Sequence, residues 1–381
     1  MKVTIVCDVP GSGNNGTTLA MTNLATSLRA KGHTVRILSP DKEKEGQEDY
    51  FIVPSLHFGA LDHYVEENCG TLAAADDDVI RASFEGVDVV HIMTPFVLGR
   101  RALKIAREMG LPVSAGYHIM AENITVHVHM MNAPLANKVV DRELEHFYAR
   151  VDAIHFPTQF IRDRYESTYG PTNGYVISNG VSEYVTPREV EKPAAYADRF
   201  VILSTGRYCG EKAQSVLIDA IAQSKHEKDI QLILAGTGPL EKKLSRLGGE
   251  LTNPPVLQFY SREEMTDVLN YADLYVHPAE IELEGIACLE AIACGLVPVI
   301  SNSEKCATRF YAPDERCLFE HGNPENLAEK IDFWMEHPTE KAELSQQLID
   351  YAGEKFKLSK CMDRMEEMLL ETIEKKKAGE I

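Results

Sequence analysis

Residues 277–295 read HPAEIELEGIACLEAIACG, and this stretch decides the fold. An apolar run, IACLEAIAC, carries one charge, Glu290, and is closed by Gly295. A run without turn formers that ends on glycine predicts a short buried helix. Three more carboxylates, Glu280, Glu282 and Glu284, stand just ahead of it, with Gly285 at the join. A carboxylate on a buried helix is costly unless something hydrogen-bonds it. Two readings of Glu290 follow: it meets an Arg or Lys in the core, or it waits for the hydroxyls of a ligand.

The helix is flanked by two apolar runs, DLYVHPA (273–279) and LVPVIS (296–301). Outward from there the same alternation continues. RFVILSTGR (199–207), IQLILAGTG (230–238) and PVLQFY (255–260) predict strands, with helical segments at 211–225, 239–248 and 263–272. The first half repeats the rhythm from KVTIVCDV (2–9) through HTVRILSP (33–40), GVDVVHIMTP (86–95) and LPVSAGYH (111–118) to VDAIHFPT (151–158) and NGYVISNGV (173–181). Short apolar runs alternating with helices argue an α/β fold with doubly wound parallel sheets. Residues 183–198 break the pattern with two prolines and many charges, and predict a linker. The expected organisation is therefore one α/β domain over 1–182, a linker over 183–198 and a second α/β domain over 199–350. From Asn323 onward the pattern is mostly helical and amphipathic.

Composition excludes several classes. The formal charge is −19. Residues 1–190 hold 17 Lys+Arg against 24 Asp+Glu, and the remainder 22 against 34, so neither half is basic and nucleic acid is not an expected partner. No window approaches a membrane-spanning length of apolar residues, and the chain opens directly on a strand pattern, so no leader is expected. The eight cysteines show no C-x-x-C spacing, which fits reduced thiols in a cytoplasmic protein. No metal-ligand spacing is found; the Asp76-Asp77-Asp78 run is read as a turn or helix cap.

Glycine loops follow three strands. Gly11-Ser-Gly13-Asn-Asn-Gly16 matches the dinucleotide fingerprint, which keeps an NAD-dependent oxidoreductase open. Against it, Ser39-Pro40 stands where a ribose-binding acid is expected. The loop is not a P-loop, because Thr17 occupies the lysine position. In the second half, Gly206-Arg207 ends a strand and Lys212 is expected to open the next helix. Two cations at that spacing can converge on one diphosphate, or can be two solvated surface charges. Gly236-Thr237-Gly238 makes another strand–turn–helix entry. Both fall at carboxyl ends of strands, where open α/β sheets bind ligands.

Taken together, GRYCGEK (206–212), LILAGTGPLEKKL (232–244), residues 273–301 and the N-terminal glycine loop resemble the retaining family-4 glycosyltransferases of GT-B fold. The most specific element is Glu282-x7-Glu290 in its strand–loop–helix–Gly–strand frame. The resemblance implies two Rossmann-like domains facing across a cleft, with the final segment, 351–381, a helix returning to the N-terminal domain. It implies that Glu290 binds the ribose and that Glu282 binds the donor sugar, helped by N–H groups near Gly285. Arg207 and Lys212, beside Gly206 and Gly238, would hold the diphosphate in place of a metal. Gly16 would let the N-terminal loop reach the same phosphates, Tyr260 would border the base, and His118 would lie near the sugar. No cofactor beyond the nucleotide sugar is implied.

The chain departs from the pattern at Leu283, at Glu284 (where an aromatic is usual, and which is expected to bind the nucleotide sugar beside the sugar site), at Asn15 and in SNSEKCATRFYAPDERCLF (301–319). With AGYHIMAENIT (115–125), these features resemble bacterial enzymes that glucosylate diacylglycerol. The implied donor is UDP-glucose and the implied acceptor a lipid or glycan hydroxyl. A soluble glycan transferase and a non-catalytic nucleotide-sugar-binding protein are the alternatives. His118, His127 and His129 with Met120, Met130 and Met131 could line an acceptor path, or simply pack within their own domain. RRALKIAR (100–107) is the one basic amphipathic stretch that could touch the inner face of a plasma membrane, or it is an ordinary solvated helix face.

Overall fold

Two sheets of parallel strands organise the chain. The computed structural model describes residues 1–8, 16–57, 59, 72–125 and 133–381. These divide into one unit of Met1–Asn179 with Ser359–Ile381, and a second of Gly180–Leu358.

The first unit begins with β1 (Lys2–Val6), α1 (Gly16–Ala30), β2 (Thr34–Ser39) and β3 (Tyr50–Ile52). Then come α2 (Asp77–Phe84), β4 (Val89–Ile92), α3 (Val97–Glu108), β5 (Val113–Gly116), α4 (Ala121–Thr125) and α5 (Pro134–Tyr148). β6 (Ala153–Phe156), α6 (Gln159–Tyr169) and β7 (Gly174–Val176) complete it. The strand order is β3-β2-β1-β4-β5-β6-β7, every pairing parallel. β1, β4, β5 and β6 are buried along almost their whole length, which is why they read as continuous apolar runs.

In the second unit, β8 (Phe200–Thr205), α7 (Gln214–Gln223), β9 (Ile230–Ala235), α8 (Glu241–Gly248), β10 (Val256–Gln258) and α9 (Arg262–Tyr271) come first. β11 (Leu274–His277), β12 (Ile281–Glu282), α10 (Ile286–Ala293), β13 (Pro298–Ser301), β14 (Lys305–Cys306) and β15 (Leu318–Phe319) follow. Its sheet runs β10-β9-β8-β11-β13-β15, with β12 and β14 as a separate two-stranded ladder. The helices α11 (Pro324–Glu336) and α12 (Pro338–Lys355) close the unit. α10 is the helix expected from IACLEAIAC. It ends in paired bonds from Gly295 N to Ile292 O (2.9 Å) and Leu296 N to Ala291 O (3.0 Å), and packs against α12.

The last helix, α13 (Leu358–Ala378), groups with the first unit. Its Glu366 engages Lys31 and His33, its Arg364 donates to Val176 O at 2.8 Å, and its Lys376 pairs with Asp152 at 2.7 Å. The boundary expected at 351 falls at Ser359 instead, because α12 continues the second unit to Lys355. Residues 183–198 contain no strand, only a short 3-10 turn at Ala194–Tyr196, and belong to the second unit. The strands β3, β12, β14 and β15 were not anticipated; at two or three residues they are too short to show a period.

Candidate donor site in the second unit

The site is built where β8, β9 and β11 end. Gly206 N bonds Ala235 O at 3.0 Å, Tyr208 N bonds Thr237 O at 2.9 Å, and Leu240 N bonds Tyr208 O at 3.1 Å. The loops after β8 and β9 thus lie backbone against backbone. A side chain at Gly238 would put its Cβ 2.6 Å from both the N and O of Tyr208, so only glycine allows this contact. Tyr208 is fully buried and its hydroxyl donates to Leu234 O at 2.6 Å, anchoring the pair of loops from below.

Arg207 and Lys212 emerge from this platform. Lys212 lies in the 3-10 turn Gly210–Lys212, not in the helix it was expected to open; α7 starts only after Ala213, whose left-handed backbone (φ 49°) ends the turn. The Lys212 stem would lie 3.6 Å from a Cβ at Gly206, and its ammonium pairs with the Glu282 carboxylate. The two are 70 positions apart in sequence. Burial alone would neutralise both groups, but their mutual attraction wins: Lys212 is held above its ordinary range, and Glu282 is pulled down to about 2 by Lys212 with help from His277. Glu211, partly buried, is pushed the other way by burial, against the pull of Lys212 and Arg207.

Eight residues further on, Glu290 behaves differently. Its nearest cation is Arg262, at 3.7 Å, beyond hydrogen-bonding distance. Burial dominates and raises it to about 7. Of the two readings of this charge, a core Arg or Lys partner is met only loosely. Gly285 provides the N-cap of α10 at φ 78°, a conformation only glycine adopts freely, and a Cβ there would sit 2.2 Å from Thr308 Cγ2. A helix start leaves its first N–H groups unbonded within the helix. In α10, Cys288 N and Leu289 N bond Gly285 O, at 2.8 and 3.1 Å. Glu284 is buried and acts electrostatically on the buried Tyr311 of the 307–311 turn, so it lies inside the unit. Tyr260 is partly buried beside Tyr196 and Tyr271, and its hydroxyl is pushed up to about 12, chiefly by burial.

Arg207, Lys212, Gly206 and Gly238 therefore lie in the loops that follow β8 and β9, while Glu282 and Gly285 lie in the segment after β11 and Glu290 in the helix α10 that this segment leads into. Chemically the group offers two cations, an anionic carboxylate, a nearly half-protonated carboxyl at neutral pH and a helix N-terminus. Such a set can bind an anion and hydroxyl-rich groups together. His277 and Tyr275 belong to this neighbourhood and were not singled out from sequence. The available signal was a histidine at the carboxyl end of a predicted strand.

The other expected residues lie on the first unit. Gly16 starts α1 and has open space around it. Gly11, Gly13, Asn15, His127, His129, Met130 and Met131 lie outside the described residues. His118 follows β5 and packs edge-on against His155, ring centroids 5.5 Å apart. Burial, with the charges of His155 and His91, holds it well below the usual histidine range, so it is neutral. Its ring is also why residue 116 is glycine, since a Cβ there would lie 2.3 Å from His118 Nε2. Asp76 caps α2 by accepting from Asp78 N and Val79 N, and Asp77 pairs with Arg101. The cap reading of that run is thus the observed one, and no cluster of metal-ligating side chains occurs among the described residues. In the basic stretch, Arg100 donates to Pro95 O and Glu143 O, and Arg107 to Arg150 O, so these arginines are engaged within the unit. No helix of the described residues is long and apolar enough to cross a membrane.

Comparison with known proteins agrees with this architecture. Residues 14–183 match the model described as Glycosyltransferase Family 4, and residues 185–355 that described as Glycosyl transferases group 1. The chain belongs to the family-4 glycosyltransferases of GT-B fold and is a transferase of sugars. Among curated relatives it is 26% identical over 319 residues to an alpha-monoglucosyldiacylglycerol synthase of Streptococcus pneumoniae, covering 79% of this chain and 71% of that protein. It is 25% identical over 317 residues to a GDP-mannose-dependent alpha-mannosyltransferase of Corynebacterium glutamicum, covering 79% and 72%. HepE of Anabaena, solved in complex with UDP, shares the fold with a TM-score of 0.75 at 18% identity, over 97% of this chain and 100% of that one.

Proposed function

We propose that the chain transfers glucose from UDP-glucose to a hydroxyl of a lipid, diacylglycerol, with retention of the α configuration. The observation that carries the donor half is the Lys212–Glu282 pair set among Arg207, Gly285 and Glu290. In this reading Arg207 and Lys212 bind the diphosphate and stabilise the charge that grows on the leaving UDP. Glu290 accepts from the ribose hydroxyls, and Glu282 with the N–H groups at the start of α10 orients the sugar. Tyr260 borders the base. Glu284, buried beneath this loop, shapes it from within. Two cations at the diphosphate make a metal ion unnecessary, and no further cofactor is invoked.

The step itself is a substitution at the anomeric carbon. The acceptor oxygen forms the new C1–O bond on the face from which the phosphate oxygen departs. The acceptor's proton passes to an oxygen of the leaving diphosphate. Glu282 positions and makes no covalent bond. The lipid acceptor and the glucosyl donor are supported by the streptococcal relative's name and by the departures at 283–284 and 301–319. Acting on a lipid would place the protein in the cytoplasm, peripherally at the membrane's inner face. The corynebacterial relative favours a second reading, GDP-mannose as donor.

One experiment separates them: incubation with a mixed pool of nucleotide sugars and a membrane lipid extract, followed by mass and anomeric analysis of the products. An α-glucosyl lipid formed at the expense of UDP-glucose is the expected result. A mannosyl product supports the second reading. A glycan product refutes the lipid acceptor, and no product over the whole pool refutes the enzyme reading of this site.

A further inference from the structure

Behind Glu282 lies a line of polar groups that donor binding as described leaves unused. Thr205 ends β8, and Tyr275 and His277 are on the neighbouring β11. Thr205 Oγ1 is 2.8 Å from the Tyr275 hydroxyl, and that hydroxyl is 3.2 Å from His277 Nδ1. The Tyr275 and His277 rings stack with centroids 6.1 Å apart and planes at 26°. On its other side, His277 Nε2 faces Glu282 Oε2 at 3.5 Å and makes no hydrogen bond. Both rings are buried.

The direction of the proton chain follows from chemistry. Glu282 is ionised and has no proton to offer, so a lone pair on Nε2 would face an anion and be repelled. Nε2 therefore carries the hydrogen, Nδ1 accepts from Tyr275, and Tyr275 accepts from Thr205. Burial keeps the ring neutral, against the pull of Glu282. The result is a buried N–H aimed at the carboxylate from about half an ångström beyond bonding distance.

That gap matters because Glu282 has only a loan of its cation. Lys212 pairs with Glu282. A diphosphate arriving beside Arg207 attracts the same ammonium. Glu282 would then be a buried carboxylate stripped of its partner, which is strongly unfavourable. We propose that His277 is a positioning residue: its Nε2–H takes over Glu282 when the diphosphate of a nucleotide sugar draws Lys212 away, keeping that carboxylate ionised and aimed at the sugar. The proposal rests on the reading of Lys212 and Glu282 as diphosphate and sugar contacts.

Two measurements test it. The first is nitrogen NMR of histidine-labelled protein, with His277 assigned by the loss of its signal in His277→Gln. The expected ligand-free state is neutral with the proton on Nε2, and the Nε2 proton moves downfield when UDP is added. A proton on Nδ1, an imidazolium, or no response to bound UDP overturns the proposal. The second is binding of UDP, UDP-glucose, GDP and GDP-mannose to the wild type and to His277→Ala. The expected result is that UDP and UDP-glucose both bind His277→Ala roughly tenfold more weakly than wild type, because either diphosphate draws Lys212 off Glu282. His277→Gln, which retains an N–H near the Nε2 position, restores most of that affinity. Unchanged binding of both ligands by His277→Ala, or no restoration by His277→Gln, overturns the proposal alone. Should the wild type bind none of the four, the donor reading itself fails.

Discussion

Two carboxylates eight residues apart in the same unit have opposite fates. Glu282, at the end of β12, is met by Lys212 and faced by His277, and stays charged down to about 2. Glu290, inside α10, has only Arg262 at 3.7 Å and is raised to about 7. Both side chains are mostly buried, so burial does not separate them. The quality of the nearest partner does. The turn at Gly285 and the helix after it thus hold one tight ion pair and one carboxyl met only by a distant cation. In the proposed function the first is a preassembled part of the site and the second binds the ribose.

The largest break in this comparison comes from Lys212→Ala. It leaves Glu282 buried without its cation, so the unit should lose about 3 kcal/mol in urea unfolding. Sugar transfer should fall by a factor on the order of a thousand, from the loss of charge stabilisation at the leaving diphosphate. A variant with unchanged stability would show that the pair is only a surface contact.

Glu290→Gln should act in the opposite direction on stability. A carboxyl raised in the folded state keeps its proton after the unfolded chain has lost its own. Stability therefore falls as pH rises from about 4.5 to about 7. Removing the ionisable group should make the protein about 2 kcal/mol more stable at pH 8, with no gain at pH 4, as read by thermal or urea unfolding. The same variant should bind nucleotide sugar at least roughly tenfold more weakly, because an amide does not accept from two ribose hydroxyls as a carboxylate does. Glu282 shows the mirror image: its contribution is present above about 4.5 and is lost as pH falls toward 2. The smallest effect belongs to Arg262→Gln. This half-exposed cation lies outside hydrogen-bonding range of Glu290, so unfolding stability should change by no more than about 0.5 kcal/mol. The Glu290 midpoint, followed by carboxyl NMR, should rise slightly.

Much of this was legible in the chain. The long β-branched runs, the glycine loops after them and the helix closed by Gly295 located both sheets and marked out the candidate donor site, because those features are local. The two- and three-residue strands escaped because they are too short to show a period. The pairing of Lys212 with Glu282 escaped because nothing local encodes a contact across 70 positions. Sequence placed Lys212 and Glu282 in separate roles, with the diphosphate and with the sugar, whereas the fold joins them directly. His277 read as a strand end, and its relation to Tyr275 and Thr205 needs the register of β8 beside β11. Glu284, where an aromatic was expected, lies buried near Tyr311, an environment its charge did not suggest.

The contrast between the two carboxylates is tested most directly by the protons that accompany donor binding. Ribose hydroxyls that donate to Glu290 favour its ionised form, so binding at pH 7 should expel the proton that burial retains there. Calorimetry of UDP-glucose binding in two buffers of different ionisation enthalpy reads that release, since the sugar nucleotide has no proton of its own to lose near neutrality. The account predicts release of about half a proton by the wild type at pH 7 and none by Glu290→Gln. Equal binding enthalpies in both buffers for the wild type, or the same release from Glu290→Gln, would contradict it.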